Sequence, residues 1–191
     1  AVRALGSCPA SEENVTAVRK ALIDRRSNAT RASAAEVLGK WKIHAAEDDL
    51  RAGLASDMPF ERLERTSLPA LAALGVPDRF ELALARLQFN NSREVRETAL
   101  GVLDELGEAN DPQIVAILLP FLEDPDRPIR NAVAERLQRF GHLAPMLVHS
   151  FLKDALRDHR PRRQEKIEAI RAALNKQPKK AETDSDEDSG S

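Results

Sequence analysis

The chain has 191 residues, 42% hydrophobic and 31% charged, with six Phe, one Trp, no Tyr and a net charge of −2. An aliphatic composition poor in aromatics favours helix over sheet, and a nearly neutral balance supplies no field for nucleic acid or an anionic membrane. The single cysteine, Cys8, excludes an intramolecular disulfide, a zinc finger and a paired redox site, and no apolar run approaches the ~20 residues of a membrane span.

The opening stretch AVRALGSCPASEE has no signal-peptide pattern, which together with the lone thiol points to a soluble, cytoplasmic protein. Residues 1–6 read as the last turn of a helix, so at least one helix is expected upstream. Cys8 has no spaced His or Asp to make it a nucleophile and is expected as a buried or capping thiol. Ser11 then caps a helix with Val15, Val18 and Leu22 inward, and Asn28 begins a second with Ala32, Ala35 and Leu38 inward. The stretch from Trp41 to Gly75 is the least regular. Ala46, Leu50 and Leu54 give a first helix. Asp57-Met58-Pro59 starts a second with Phe60, Leu63, Ser67, Leu71 and Leu74 inward, and Pro69 is expected to kink or break it. Residues 77–107 place Phe80, Ala83, Leu84 and Leu87 on one face, pause at Asn90-Asn91-Ser92, and resume with Val95, Ala99, Val102, Leu103 and Leu106. Residues 142–175 carry Leu143, Met146, Leu147, Phe151 and Leu156, then Ile167, Ile170 and Leu174.

A large apolar residue followed by glycine recurs at Leu5-Gly6, Leu38-Gly39, Leu74-Gly75, Leu106-Gly107 and Phe140-Gly141, at intervals of 33, 36, 32 and 34 residues. Five of the eight glycines fall in this series, too many for chance. Gly39, Gly75, Gly107 and Gly141 read as residues just past a helix end, where φ is positive and a Cβ would clash. A helix pair of this length cannot bury its apolar face alone, and stacked neighbours can. The expected fold is therefore all-α, a solenoid of about five helix–turn–helix repeats over residues 1–175. Its units run roughly over 9–39, 41–75, 77–107, 109–141 and 142–175. The remainder, KQPKKAETDSDEDSGS (176–191), holds no apolar residue beyond Ala181 and is expected to be a disordered, solubilising charged tail. Thr183 and Ser185 have acids downstream, a setting that acid-directed kinases accept.

The most regular unit contains LPFLEDPDRPIRNAVAERLQRFG, residues 119–141. Pro120 lacks an N–H and bends the first helix, Asp126 can cap the second, and Pro128 falls in its first turn, where a missing donor costs nothing. Leu119-Pro120-Phe121-Leu122, Asp124-Pro125-Asp126, Ile129-Arg130, Ala132, Ala134, Leu137 and Phe140-Gly141 together resemble the HEAT repeat, of the armadillo-type class. The preceding unit repeats the pattern with Val95-Arg96, Ala99, Leu103 and Leu106-Gly107. The resemblance implies that Arg96 and Arg130 form an inter-repeat ladder; Arg130 can pair with Asp126 four residues earlier or with an acid of the adjacent repeat.

No catalytic motif is present: H-E-x-x-H, G-x-G-x-x-G, the P-loop and G-x-S-x-G are all missing, and the four histidines lack ligand spacing, so neither metal nor cofactor is expected. The resemblance implies a non-enzymatic scaffold that offers a concave helical wall to a protein partner of unknown identity. Candidate contacts are Glu36, Glu97, Asp104, Glu135 and Arg139 on the second helices. A basic run, Arg157, His159, Arg160, Arg162, Arg163 and Lys166, suits a solvated end-cap better than phosphate contact, since no aromatic interleaves with it; Arg160, Arg162 and Arg163 nonetheless stand as candidate contacts. Residues 77–141 also resemble repeat modules appended to some M1-type zinc aminopeptidases. That makes an accessory module of a larger enzyme, with catalysis upstream, the alternative to a monomeric scaffold. A nucleic-acid binder of the same fold is the weakest reading, with no specific residue in its favour.

Overall fold

Leucine, alanine and valine at three- and four-residue spacing leave each helix with one apolar stripe, and one helix pair has nothing to bury that stripe against except the next pair. The computed structural model, which describes residues 2–55 and 61–175, meets this demand with an all-α solenoid. Eleven α-helices and no strand occur among the described residues. A short α1 (Val2–Leu5) precedes five pairs: α2 (Glu12–Ile23) with α3 (Asn28–Lys40), α4 (Glu47–Leu54) with α5 (Glu61–Leu74), α6 (Arg79–Arg86) with α7 (Arg93–Glu108), α8 (Gln113–Leu118) with α9 (Arg127–Phe140), and α10 (Pro145–Arg157) with α11 (Arg163–Asn175). The second helices of the pairs stack on one another from α1 to α11. Each first helix lies against its own partner and scarcely touches the next first helix.

Local chemistry starts these helices where hydrogen-bond demand is greatest. The hydroxyls of Ser11, Ser27 and Ser92 each accept a backbone N–H of the first turn, from Asn14, Thr30 and Val95, all at 3.3 Å. The core is one continuous aliphatic cluster in which Leu22, Leu38, Leu50, Leu63, Leu71, Leu87, Leu103 and Leu118 are fully buried. Ties between first helices are made by long side chains instead: Arg19 reaches Asp49 at 2.9 Å and Arg51 reaches Asp78 at 2.6 Å.

Several expectations are corrected. Helix α5 runs unbroken through Pro69, whose ring sits on the exposed side, so the lost hydrogen bond falls where water can satisfy the carbonyl. Pro145 opens α10 and sets its inward face at Val148 and Ala155, which leaves Met146 83% exposed and Leu156 44% exposed. Leu84 is likewise exposed, with Ala83 and Leu87 taking the inward positions of α6. Cys8 is exposed rather than buried, and of its two expected roles it takes the capping one, its thiol donating to the Ala4 carbonyl at 3.9 Å. The expected start of a second helix at Asp57, Met58, Pro59 and Phe60, and the tail 176–191, lie outside the described residues.

The glycine series divides into two structural roles. Gly75 alone among these glycines has positive φ, at +72°. The equivalent post-helix positions elsewhere are Lys42 at φ 53° and Asn110 at φ 58°. At each, the next amide closes back on the helix, Ile43 on Leu38 at 3.1 Å, Val76 on Leu71 at 3.4 Å and Asp111 on Leu106 at 2.8 Å. Gly39 and Gly107 lie inside their helices, and Gly141 caps α9 at φ −57°, so positive φ explains none of them. Their reason is proximity. A Cβ on Gly39 would stand 2.6 Å from Cα of Ala70, one on Gly107 would stand 2.6 Å from the Phe140 ring, and one on Gly141 would stand 2.9 Å from Cβ of Ala173. Every one of these contacts joins adjacent second helices. The register also accounts for the uneven spacing: Ala72, not Gly75, is the counterpart of Gly39 and Gly107, and it lies 33 residues after the first and 35 before the second.

These roles separate by substitution. Gly39→Ala should lower stability in urea unfolding by about 1–3 kcal/mol, because neighbouring backbone must move. Gly75→Ala should cost about 1 kcal/mol through backbone strain. Gly101→Ala, at an exposed helical site with nothing within 4 Å, should raise stability by about 0.5–1 kcal/mol. Equal losses at all three would contradict the assignment.

Candidate functional site

The candidate residues lie in two places: the turn edge of the last repeats and the exposed stripe of the second helices. At the turn edge, Arg96 in the first turn of α7 is 1% exposed. Its guanidinium holds the fully buried Asp124 carboxylate with bonds of 2.7 and 3.1 Å. Asp124 belongs to the turn before α9, and its Oδ1 also accepts the Asp126 N–H at 2.8 Å. The forked, charge-assisted contact is what makes such a pair tolerable away from water, and Arg96 Nε alone of the guanidinium nitrogens stays without a partner. Asp126 stands at the backbone position before α9, yet its side chain makes no cap bond and turns to Arg96 instead, correcting its expected role: a guanidinium is a stronger partner than a neutral amide. Pro128 occupies the first turn of α9, and Pro120 sits exposed in the 3-10 turn Leu119–Glu123 that replaces the last turn of α8.

Arg130 is buried, donates to the carbonyls of Asp124 and Pro125 at 2.9 and 3.1 Å, and meets Glu165 of α11 at 3.2 Å. It therefore reaches forward to the next pair rather than back to Asp126. The basic run around Arg160 is similarly engaged. Arg160 meets Glu123 at 2.7 Å and Asp158 at 2.9 Å, Lys166 also contacts Glu123, and Arg163 donates to the Leu156 carbonyl at 2.8 Å. Arg162, at φ 73°, reaches the Asp124 carbonyl at 3.3 Å. These residues line a cavity of about 320 Å³ whose cations are met by Glu123 and Asp158. Hydrogen bonds from Arg160 hold the Asp158 carboxyl down to about 2, against its ordinary 3.8. Among the described residues, no group of three His, Cys, Asp or Glu side chains converges as a metal site, and no helix is long and apolar enough to cross a membrane.

On the second-helix layer, Glu36, Glu97 and Glu135 are exposed. Glu97 lies 3.7 Å from Arg93. Asp104 and Arg139 are drawn into ties between α7 and α9: Arg136 donates to Asp104 at 2.7 Å, and Arg139 stands 3.9 Å from Asp104 and 3.6 Å from Glu108. The Arg139 guanidinium also lies over the Phe140 ring at 4.6 Å, the ring that Gly107 makes room for. Sequence reasoning missed the concavity this layer contains. Arg3 of α1, Glu61, Arg62, Arg65 and Thr66 of α5, and Glu94 and Thr98 of α7 line a groove of about 760 Å³. Its signal was the exposed stripe Arg62, Arg65, Pro69 and Ala73, spaced three or four apart in the least regular unit.

Compared with known proteins, the chain matches the family described as HEAT repeats over residues 81–171. No curated protein matches it.

The two kinds of charge contact predict different penalties. Arg96→Ala strands a buried carboxylate and should cost about 3–5 kcal/mol in urea unfolding. Arg160→Ala, at a solvated site, should leave the neutral-pH midpoint nearly unchanged. Because the Asp158 pKa is depressed in the fold, its stabilising effect is complete above the ordinary carboxylate range and disappears as pH falls through about 2. The small deficit of Arg160→Ala should therefore be present at neutral pH and close as pH falls toward about 2, which urea unfolding followed by circular dichroism at a series of pH values checks.

Proposed function

We propose, from the match to HEAT repeats over residues 81–171, that the chain is a HEAT-repeat protein and a non-catalytic interaction scaffold presenting its second-helix layer to a protein partner. The observation that carries this reading is the difference between the two layers. Second helices meet at glycine and alanine, close enough that a methyl group on Gly39 has no room, whereas first helices scarcely touch one another. A stack drawn together on one side and spread on the other curves toward the tight side, which supplies a continuous concave wall. The groove between α1, α5 and α7 lies in that wall. The side chains that tie the repeats together, Arg96, Arg130 and Asp104, are occupied within the fold, so partner contacts fall to exposed positions such as Glu36, Glu97 and Glu135.

Site-specific photo-crosslinking tests the reading. A photoreactive residue placed at Ala73 or Glu97 on the second-helix stripe, in the full chain exposed to an extract of its source cells, should capture a discrete partner. The same residue at Thr16 or Asp154 on the first helices should not. Capture from the first-helix positions alone would contradict the proposal.

A further inference from the structure

When the internal ion pairs are subtracted, the second-helix layer keeps an uneven charge. The acids along α7 are answered within the fold: Glu94 and Glu97 by Arg93 at 3.3 and 3.7 Å, Asp104 by Arg136 at 2.7 Å, Glu105 by Arg79 at 3.3 Å and Glu108 by Arg139 at 3.6 Å. Arg3, Arg62 and Arg65 differ. All three are exposed, all line the groove, and none pairs with an acid among the described residues. Two acids of the lining, Glu61 and Glu94, stand against them, and Glu94 also meets Arg93. The groove therefore sets three arginines against two glutamates.

A second observation stands beside it. Glycine inside a helix costs about 1 kcal/mol relative to alanine. At Gly39, Gly107 and Gly141 that cost is offset by close packing, but a Cβ on Gly101 would meet nothing within 4 Å, and its φ is not positive. Nothing in the fold requires glycine there. Gly101 lies on the exposed stripe of α7, one turn beyond Thr98, and the corresponding turns of α5 expose Pro69 and Ala73. The arginine-lined groove thus continues into a strip of small side chains and bare backbone, a surface that another main chain can approach closely.

Resting on the scaffold reading above, we propose that this groove takes an extended acidic segment of the protein partner. Its carboxylates bind Arg3, Arg62 and Arg65 through charge-assisted, forked hydrogen bonds, and its main chain crosses the low strip at Gly101. Glutamate or aspartate at intervals along such a segment supplies what the three guanidiniums lack, while a neutral segment of the same length does not.

The test uses the full chain and fluorescein-labelled octaglutamate, read by fluorescence anisotropy, with octaglutamine and a short duplex DNA as comparison probes. Octaglutamate should bind, octaglutamine should not, and added salt should weaken binding. The double variant Arg62→Ala, Arg65→Ala should bind about tenfold or more weakly. Gly101→Gln, which has open space and so keeps the fold, should show a several-fold loss with an undiminished melting midpoint. The inference is overturned if the Arg62, Arg65 variant binds like wild type while Arg160→Ala with Arg162→Ala does not, or if duplex DNA binds through Arg62 and Arg65 more tightly than the peptide. A rise in probe affinity when Asp184, Asp186, Glu187 and Asp188 are replaced by their amides would make the chain's own acidic segment the occupant and also overturn it. Should octaglutamate fail to bind while Ala73 still captures a partner by photo-crosslinking, the acidic-segment inference falls and the scaffold reading stands; failure of both removes both.

Discussion

The constraint on which the structure depends is how closely the second helices approach one another. Two junctions of that layer are set by residues with little or no side chain, Gly39 against Ala70 and Gly141 against Ala173, and at a third Gly107 makes room for the Phe140 ring. Helices that meet at such points sit nearer than helices separated by leucines, because interaxial distance follows the side chains at the contact. No comparable approach draws the first helices together, and they are linked instead by arginines that reach across, as Arg51 does to Asp78. The groove and the exposed stripe lie on the closely packed side.

Buried charge adds a second kind of fastening, concentrated in the last repeats. Arg96 joins α7 to the turn before α9, and Arg130 joins α9 to α11, so each cation bridges one pair to the next. These contacts are directional where the glycine contacts are not, and they fix the angle at which a turn meets the following helix. The first repeats have no fully buried pair of this sort among the described residues; their charges, including Arg62 and Arg65, remain at the surface. Buried ion pairing is therefore found toward one end, while the ties of the first repeats, such as Arg19 with Asp49, are partly exposed.

Much of this was legible in the sequence, for reasons that can be stated residue by residue. Apolar periodicity and the recurring glycines were enough for an all-α repeat stack, because a period of three to four within helices and of about 34 between them has few other physical solutions. The family pattern around Arg96 and Arg130 pointed to charged ladders, since those residues lie in strict register with buried neighbours. What the letters concealed was the reason for each glycine. Gly75 and Gly107 look alike after a leucine, yet one relieves a positive φ and the other admits a phenyl ring from a residue 33 positions later. Asp126 hid its partner in the same way: a cap is a local contact visible in sequence, while the pull of Arg96 depends on tertiary placement. The groove escaped notice because its lining comes from three helices, and Arg3 and Arg65 have no relation in the linear chain.

The central claim is that the tight second-helix layer is the binding face and that its residual positive charge sits between α1, α5 and α7. Nuclear magnetic resonance of the isotope-labelled full chain, titrated with octaglutamate, addresses it most directly. The account predicts shift changes concentrated on the amides of Arg3, Arg62, Arg65, Thr66, Thr98 and Gly101. Changes confined to the first helices, or to the turn carrying Arg160 and Arg162, would contradict it.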